Sequence, residues 1–219
     1  MRIEQPEGRR GSLKWIQRLI DRNPGLLEQR LSEVGALAPQ RTVEWRSPLR
    51  DDRWAEYRDA AFLARVGLEH LAEDLKQFWP KRGPQWDALG RDDSGRVFLV
   101  EAKAHGQEMS SSCEAGEASR KVITATTDLC KRAFGARSDS DWLNGYYQYA
   151  NRLSHLHFLR SRGIDACLVF LYFVGDLDIR GPSSEAQWTP FIEAAHTHLG
   201  ISKKGQCEVT TIFQSVDEL

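Results

Sequence analysis

Gln85-Trp86-Asp87-Ala88-Leu89-Gly90, a polar turn, and then Gly95-Arg96-Val97-Phe98-Leu99-Val100-Glu101-Ala102-Lys103 form the stretch around which the chain can be read. Val97 to Val100 are four apolar residues in a row, rich in β-branched and aromatic side chains. Bounded by a Gly-containing turn, they read as a buried strand. Side chains alternate across a strand, so Val97, Leu99, Glu101 and Lys103 share one face and Ala102 points to the other. A carboxylate and an ammonium therefore stand side by side at the end of an apolar strand, where burying either alone is costly. Trp86 to Gly90 reads as the partner strand. The link Arg91-Asp92-Asp93-Ser94-Gly95 holds the Asp-Ser-Gly type of turn that joins antiparallel strands.

Such a hairpin brings Asp87 level with Glu101. Two carboxylates that close repel unless a cation lies between them. Oxygen ligands of this kind suit a hard divalent ion, Mg²⁺ first, with Mn²⁺ able to substitute. The ion would polarise a phosphoryl oxygen and generate hydroxide from bound water. Lys103 would orient that water or steady the charge developing on phosphate. The plain alternative is a turn Asp at position 87 and an ordinary Glu–Lys ion pair on an edge strand.

At these residues the sequence resembles the PD-(D/E)XK nuclease superfamily, whose fold is called restriction-endonuclease-like. The match is Asp87, a spacer with a turn, and Glu101-Ala102-Lys103 at the end of a hydrophobic strand. The resemblance implies that Asp87, Glu101 and the main-chain carbonyl of Ala102 bind metal, with Lys103 beside the attacking water. One departure stands out: Trp86, not Pro, directly precedes Asp87, and Pro84 lies three residues back.

Composition sets bounds on this reading. The chain has 219 residues, 41% hydrophobic and 28% charged, with formal net charge −1. These are values of a soluble globular protein. No global basic field exists to hold nucleic acid, so any such binding needs a local patch. No apolar run approaches the ~20 residues that span a bilayer. The first ten residues lack the apolar core of a signal peptide, and a cytoplasmic location is expected. Cys113, Cys130, Cys167 and Cys207 are scattered, with no C-x-x-C pair to suggest zinc.

Residues 12–34 read as a helical hairpin. Trp15, Ile16, Leu19 and Ile20 fall at helical spacing, Asn23-Pro24-Gly25 breaks the run, and Leu26, Leu27, Leu31 and Val34 follow before Gly35. Its expected use is packing on the core. Residues 36–49 read as a connector. Residues 1–49 are thus expected as an N-terminal helical segment, and 50–219 as the nuclease domain.

Asp51-Asp52 read as the N-terminal cap of a long helix over about 52–78, with Trp54, Tyr57, Ala61, Ala64, Leu68, Leu71 and Leu75 as its apolar stripe. Many members of the superfamily carry a Glu on the helix before the first catalytic strand. Glu56 is the chosen equivalent, with Glu69 and Glu73 as fallbacks. The alternative is a surface Glu paired with an Arg. Lys81 and Arg82, just before the acidic strand, are candidate phosphodiester contacts. His105 lies two past Lys103 and is a candidate contact with substrate or water.

A helix is expected at 118–134, with Val122, Thr126, Leu129, Cys130 and Ala133 inward. Another spans 142–161, with Tyr146, Tyr149, Ala150, Leu153 and Leu156 inward. Gln148, Arg152 and His155 share a neighbouring face. In the superfamily this helix often points a polar residue, frequently Gln, at the metal, and Gln148 with Arg152 resembles that pattern. Asp165 to Val174 is the strongest strand, apolar on both faces. Thr189-Pro190 opens a helix that stops at Gly200, and a last strand runs from Glu208 to Val216.

The expected fold is α/β (α+β layered): a restriction-endonuclease-like core with a central mixed sheet flanked by helices and an extra N-terminal helical segment. The expected activity is metal-dependent hydrolysis of nucleic acid, DNA in the first instance, by Asp87, Glu101 and Lys103 assisted by Glu56 and Gln148. One site nicks one strand, so double-strand cutting needs a homodimer or two successive events. The competing reading is a binding module on the same fold that no longer cuts and tethers nucleic acid or a protein.

Overall fold

The computed structural model describes residues 1–202 and 208–219. In chain order the elements are β1 (Arg2–Ile3), α1 (Gly11–Arg22), α2 (Pro24–Glu33), β2 (Val43–Ser47), β3 (Glu56–Tyr57), α3 (Ala60–Arg65) and α4 (Ala72–Phe78). They continue with β4 (Ala88–Asp92), β5 (Val97–Lys103), α5 (Glu117–Ala133), α6 (Tyr147–Arg160), β6 (Ala166–Val174), α7 (Glu185–Leu199) and β7 (Val209–Ser215).

Five strands make one mixed sheet in the order β2-β4-β5-β6-β7. β2/β4 and β4/β5 are antiparallel, whereas β5/β6 and β6/β7 are parallel. The hairpin β4–β5 closes through Asp92, whose Oδ1 accepts from the main-chain N–H groups of Ser94 and Arg96, both at 2.9 Å. That short side chain ties down the turn amides, which is why the Asp-Ser-Gly stretch turns here. Parallel strands cannot be joined by a tight turn. α5 and α6 carry the chain from β5 to β6, and α7 carries it from β6 to β7.

The strand alternation sorts the core into two layers. Val97 and Leu99 of β5 join one apolar cluster with Leu153, Leu156 and Leu159 of α6, Ile123 of α5 and Trp188 of α7. Phe98, Val100 and Ala102 join a second cluster with Trp15, Ile16, Leu19 and Ile20 of α1 and Leu27 and Leu31 of α2. The N-terminal hairpin thus packs on the core, as expected, and covers the far face of the sheet. Asp176, after β6, fixes it there by accepting from the Trp15 indole N–H at 2.7 Å and the Gly11 amide at 3.2 Å. β6 is buried along nearly its whole length because both faces are covered. Among the described residues no helix is long and apolar enough to cross a membrane.

Several local expectations are corrected. The long helix 52–78 does not form. Its first third is a turn and the short strand β3, followed by α3, one turn of 3₁₀ helix and α4. Arg53, Trp54 and Asp59 adopt positive φ of 53°, 55° and 53°, and Gly67 sits at 72°. A right-handed helix excludes such values. The competing interaction is β pairing: Tyr57 lies opposite Arg2 and bridges to Trp86. Asp52 caps nothing; it accepts from the Arg2 guanidinium at 2.8 Å and from the Tyr57 hydroxyl.

The expected connector 36–49 contains β2, the edge strand beside β4, so the sheet draws strands from both sides of residue 49. α6 begins at Tyr147, not 142, because Asp141 Oδ1 accepts from the amides of Leu143 and Asn144 and holds a turn instead. α7 begins at Glu185, before Thr189-Pro190, with Ser184 as its cap. The buried face of α5 is Ile123, Thr126, Thr127 and Cys130, leaving the expected inward residues Val122, Leu129 and Ala133 exposed. Val34 is likewise exposed. Cys113, Cys130 and Cys167 are buried free thiols, and Cys207 lies outside the described residues.

Candidate functional site

β5 carries the site at its C-terminal end. Glu101 and Lys103 continue the face that Val97 and Leu99 present to α6, and Glu101 is 2% exposed. The Lys103 ammonium meets Glu101 Oε1 at 2.7 Å and donates to Gln148 Oε1 at 2.9 Å. One helical turn further along α6, Arg152 donates from Nε to Glu101 Oε2 at 2.7 Å, and its Nη2 lies 2.6 Å from the same oxygen. Gln148 and Arg152 reach neighbouring strand residues because i and i+4 lie one above the other on a helix.

Asp87 arrives from the other strand of the hairpin. It is half-buried, its main-chain N–H donates to the Val100 carbonyl at 3.2 Å, and its Oδ2 accepts from the Ala102 N–H at 2.7 Å. Its other oxygen has no hydrogen-bond partner among the described residues. N–H and C=O of one strand residue face the same neighbour, so the Ala102 carbonyl is turned to the edge where Asp87 sits.

Glu56 is the third carboxylate. It lies on β3 and is 5% exposed. Its Oε2 accepts from the Gln85 side chain and from Gln5 Nε2, the latter at 3.2 Å. The Gln85 main-chain carbonyl in turn accepts from Arg152 Nη2 at 2.8 Å. Thus the structure brings together Asp87, Glu101, Lys103, Glu56, Gln148 and Arg152. It does so for Glu56 by a strand and not by the expected helix. The fallbacks Glu69 and Glu73 are exposed and outside this network.

The electrostatics follow from three carboxylates sharing two cations. Burial, and then the charges of Glu101 and Glu56, push the Asp87 carboxyl well above the usual carboxylate range. Burial also pushes Glu56 up to about 7, with Glu101 adding to the rise and the Gln85 hydrogen bond opposing it. Burial would raise Glu101 too, but Arg152 and Lys103 outweigh it and hold this carboxylate below its ordinary value. Lys103, despite the cost of burial, is held above its ordinary value by Glu101 and Asp87.

A cleft of about 920 Å³ opens beside this network. Its walls include Arg58, Lys81, Arg82, Gln85, Ser110 to Ser112, Gln148 and Arg152. The loop bearing Lys81 and Arg82 is fixed by Asp59, which accepts from the Gly83 amide at 2.9 Å and the Arg82 amide at 3.3 Å. Both expected phosphate contacts therefore line a concave basic surface, although the chain as a whole is near neutral. Behind Glu101 and Lys103 a crevice of about 10 Å³ remains, about the least that holds one water.

His105 does not join the site: its Nδ1 accepts from the Gln107 amide at 3.1 Å and caps the short turn Gly106–Met109. His155 also turns away. It is enclosed by Phe62, Phe78, Trp79 and Trp86 and is 1% exposed.

The donors present suit a hard divalent cation, which needs only one or two carboxylates and keeps water for its other positions. Asp87 has an oxygen to offer, Ala102 a carbonyl, and Glu101 a carboxylate now held by cations. Among the described residues no group of three or more His, Cys, Asp or Glu side chains forms a ready cage. Gln85 belongs to the network although the motif of Asp87 and Glu101-Ala102-Lys103 does not include it. Its position two before Asp87 was the available signal, since its side chain and carbonyl tie Glu56 to Arg152. No family model, curated protein or solved structure matches the chain.

Proposed function

We propose that this chain is a divalent-metal-dependent nuclease with a restriction-endonuclease-like core, acting on nucleic acid and in the first instance on DNA. The observation that carries the reading is the convergence of Asp87, Glu101 and Lys103 at one strand end, where Lys103 and Glu101 contact Gln148 and Arg152 from the wall of a basic cleft. Asp87, Glu101 and the Ala102 carbonyl would hold Mg²⁺, or Mn²⁺ in its place. The ion supplies Lewis acidity and a water of lowered pKa.

The chain's own residues supply the rest. Lys103, kept protonated between Glu101 and Asp87, donates toward the attacking water or the phosphoryl oxygen. Gln148 fixes the Lys103 ammonium. Glu56, pushed up to about 7 by burial, would take the proton that water loses on attack. Lys81, Arg82 and Arg58 hold the phosphate backbone along the cleft. The new P–O bond forms from water as its proton passes to Glu56, the bond to the leaving sugar oxygen breaks, and that oxygen takes a proton from solvent water.

The test is cleavage of supercoiled plasmid, linear duplex and single-stranded DNA with Mg²⁺ or Mn²⁺, with EDTA and the Asp87→Ala and Lys103→Ala proteins alongside. Metal-dependent cutting that both substitutions abolish is the expected result. A second reading, a nucleic-acid-binding module without catalysis, has one observation in its favour: both Glu101 oxygens are already engaged by cations. DNA binding without cleavage of any of these substrates would establish it.

A further inference from the structure

Arg152 stands where two demands meet. Arg152 is 5% exposed, and its guanidinium takes Glu101 Oε2 through Nε at 2.7 Å and Nη2 at 2.6 Å. The same group donates to Asn151 Oδ1 and to the Gln85 carbonyl, each at 2.8 Å, and its carbon lies 5.2 Å from the Trp86 ring centre. Every strong partner of Glu101 is thus a cation of the chain: Lys103 on one oxygen, Arg152 on the other. Arg152 already places two N–H groups on Oε2, so a divalent ion approaching that oxygen meets occupied lone pairs and a like charge. Arg152 also forms part of the wall of the basic cleft with Arg58, Lys81 and Arg82. Its next available anion is therefore a phosphate, for which a guanidinium fork is well shaped.

We infer that Arg152 is the resident counter-cation of Glu101 and exchanges that carboxylate for a substrate phosphate, so that metal and nucleic acid load together. The inference rests on the nuclease reading and adds to it an order of assembly. Without nucleic acid, Arg152 competes with the metal for Glu101. With a phosphate in the cleft, Arg152 moves off Glu101 and the metal site is released. Linkage then requires that the metal strengthen nucleic-acid binding by the same factor. Arg152 is on this account a positioning residue that prevents the chain from holding a reactive metal centre when no substrate is present.

The experiment is Mn²⁺ binding to the full chain, followed by electron paramagnetic resonance of the free ion, with and without a short phosphorothioate DNA duplex that resists cleavage. Asp87→Ala with the same duplex gives the baseline for ions held by DNA alone. Arg152→Gln removes the competing charge, Arg152→Lys keeps it, and thermal unfolding of each protein verifies that it folds. The expected result is weak Mn²⁺ binding to the free wild-type chain and binding tighter by on the order of tenfold with DNA. Arg152→Gln should bind Mn²⁺ tightly without DNA and lose most of that coupling, and Arg152→Lys should retain weak binding without DNA. Should Arg152→Gln fail to fold, the wild-type and Arg152→Lys proteins decide through the DNA dependence alone. Asp87-dependent Mn²⁺ binding that is indifferent to DNA overturns the exchange and leaves the nuclease reading standing. No Asp87-dependent Mn²⁺ binding in any protein, with or without DNA, overturns both.

Discussion

The Asp87 carboxylate accepts the main-chain N–H of Ala102 at 2.7 Å, which locks it beside the residue that follows Glu101. The hairpin register therefore sets the distance between the two acidic groups, and no loop motion is needed to assemble them. The arrangement carries an electrostatic cost, since Glu101 and Glu56 both act on Asp87.

That cost predicts a gain in stability on mutation. Asp87→Asn keeps an acceptor for the Ala102 amide and removes one of three crowded carboxylates. The metal-free protein should unfold at a higher urea concentration than the wild type, while cleavage is abolished. Added Mg²⁺ should stabilise the wild type and not the variant. A loss of stability in Asp87→Asn would mean that the carboxylate is satisfied as it stands.

Removing Glu101 should act in the opposite direction. Glu101→Ala removes the carboxylate that buried Lys103 and Arg152 both contact. Breaking a buried pair by removing one partner costs about 3–5 kcal/mol. The measurement is the same urea transition, and a change below about 1 kcal/mol would show that water or neighbouring carbonyls compensate the two cations.

His155 makes stability depend on pH. Burial, with a smaller contribution from Arg152, lowers its imidazole from 6.5 to about 3, against the favourable Asn151 carbonyl. Below pH 6.5 the unfolded chain binds a proton that the folded chain refuses until about pH 3. Stability from this group is therefore complete above 6.5 and falls as the pH drops, by about 1.4 kcal/mol per unit. His155→Phe, which suits the surrounding aromatic cage, should remove that slope from pH-dependent urea unfolding.

Glu56 gives the reverse slope. Its folded value of about 7 lies above the ordinary 4.5. Its contribution is complete below 4.5 and is lost as the pH rises toward 7. Glu56→Gln should therefore leave the acid limb unchanged and stabilise the protein at pH 8 by about 3 kcal/mol. If Glu56 takes the proton from water, the same variant also loses the rise in cleavage rate through neutral pH.

Lys81 and Arg82 are exposed and carry no ion pair among the described residues. Replacing both with Ser should leave the unfolding transition in place and weaken DNA binding. Each lost phosphate contact should reduce the slope of log K against log salt by about 0.9. An unchanged slope would place the nucleic acid elsewhere.

How much of this could be read from the chain varies with the range of the interaction involved. β5, β6, the hairpin turn at Asp92 to Gly95 and the break at Asn23-Pro24 are local patterns, and they appear where periodicity and turn chemistry put them. The helix over 52–78 is the clearest failure. Its apolar residues do fall at helical spacing, yet Tyr57 is drawn into pairing with Arg2 and Trp86, partners remote in sequence. Glu56 enters the site through that pairing. His105 shows the same limit, since a cap on Gln107 takes the side chain that strand alternation would have aimed at Lys103.

The sequence by itself determined the mixed character of the element order, the two faces of β5 and the placement of Asp87, Glu101 and Lys103 at one end of a hairpin. These follow from alternation and turn residues within about twenty positions of one another. Only the tertiary structure decided that Arg152 occupies Glu101, that Gln85 joins Glu56 to Arg152, and that Lys81 and Arg82 face a common cleft. Buried charges select partners by proximity in three dimensions, where each must be matched or pay its full desolvation. No pattern along the chain records which cation lies nearest.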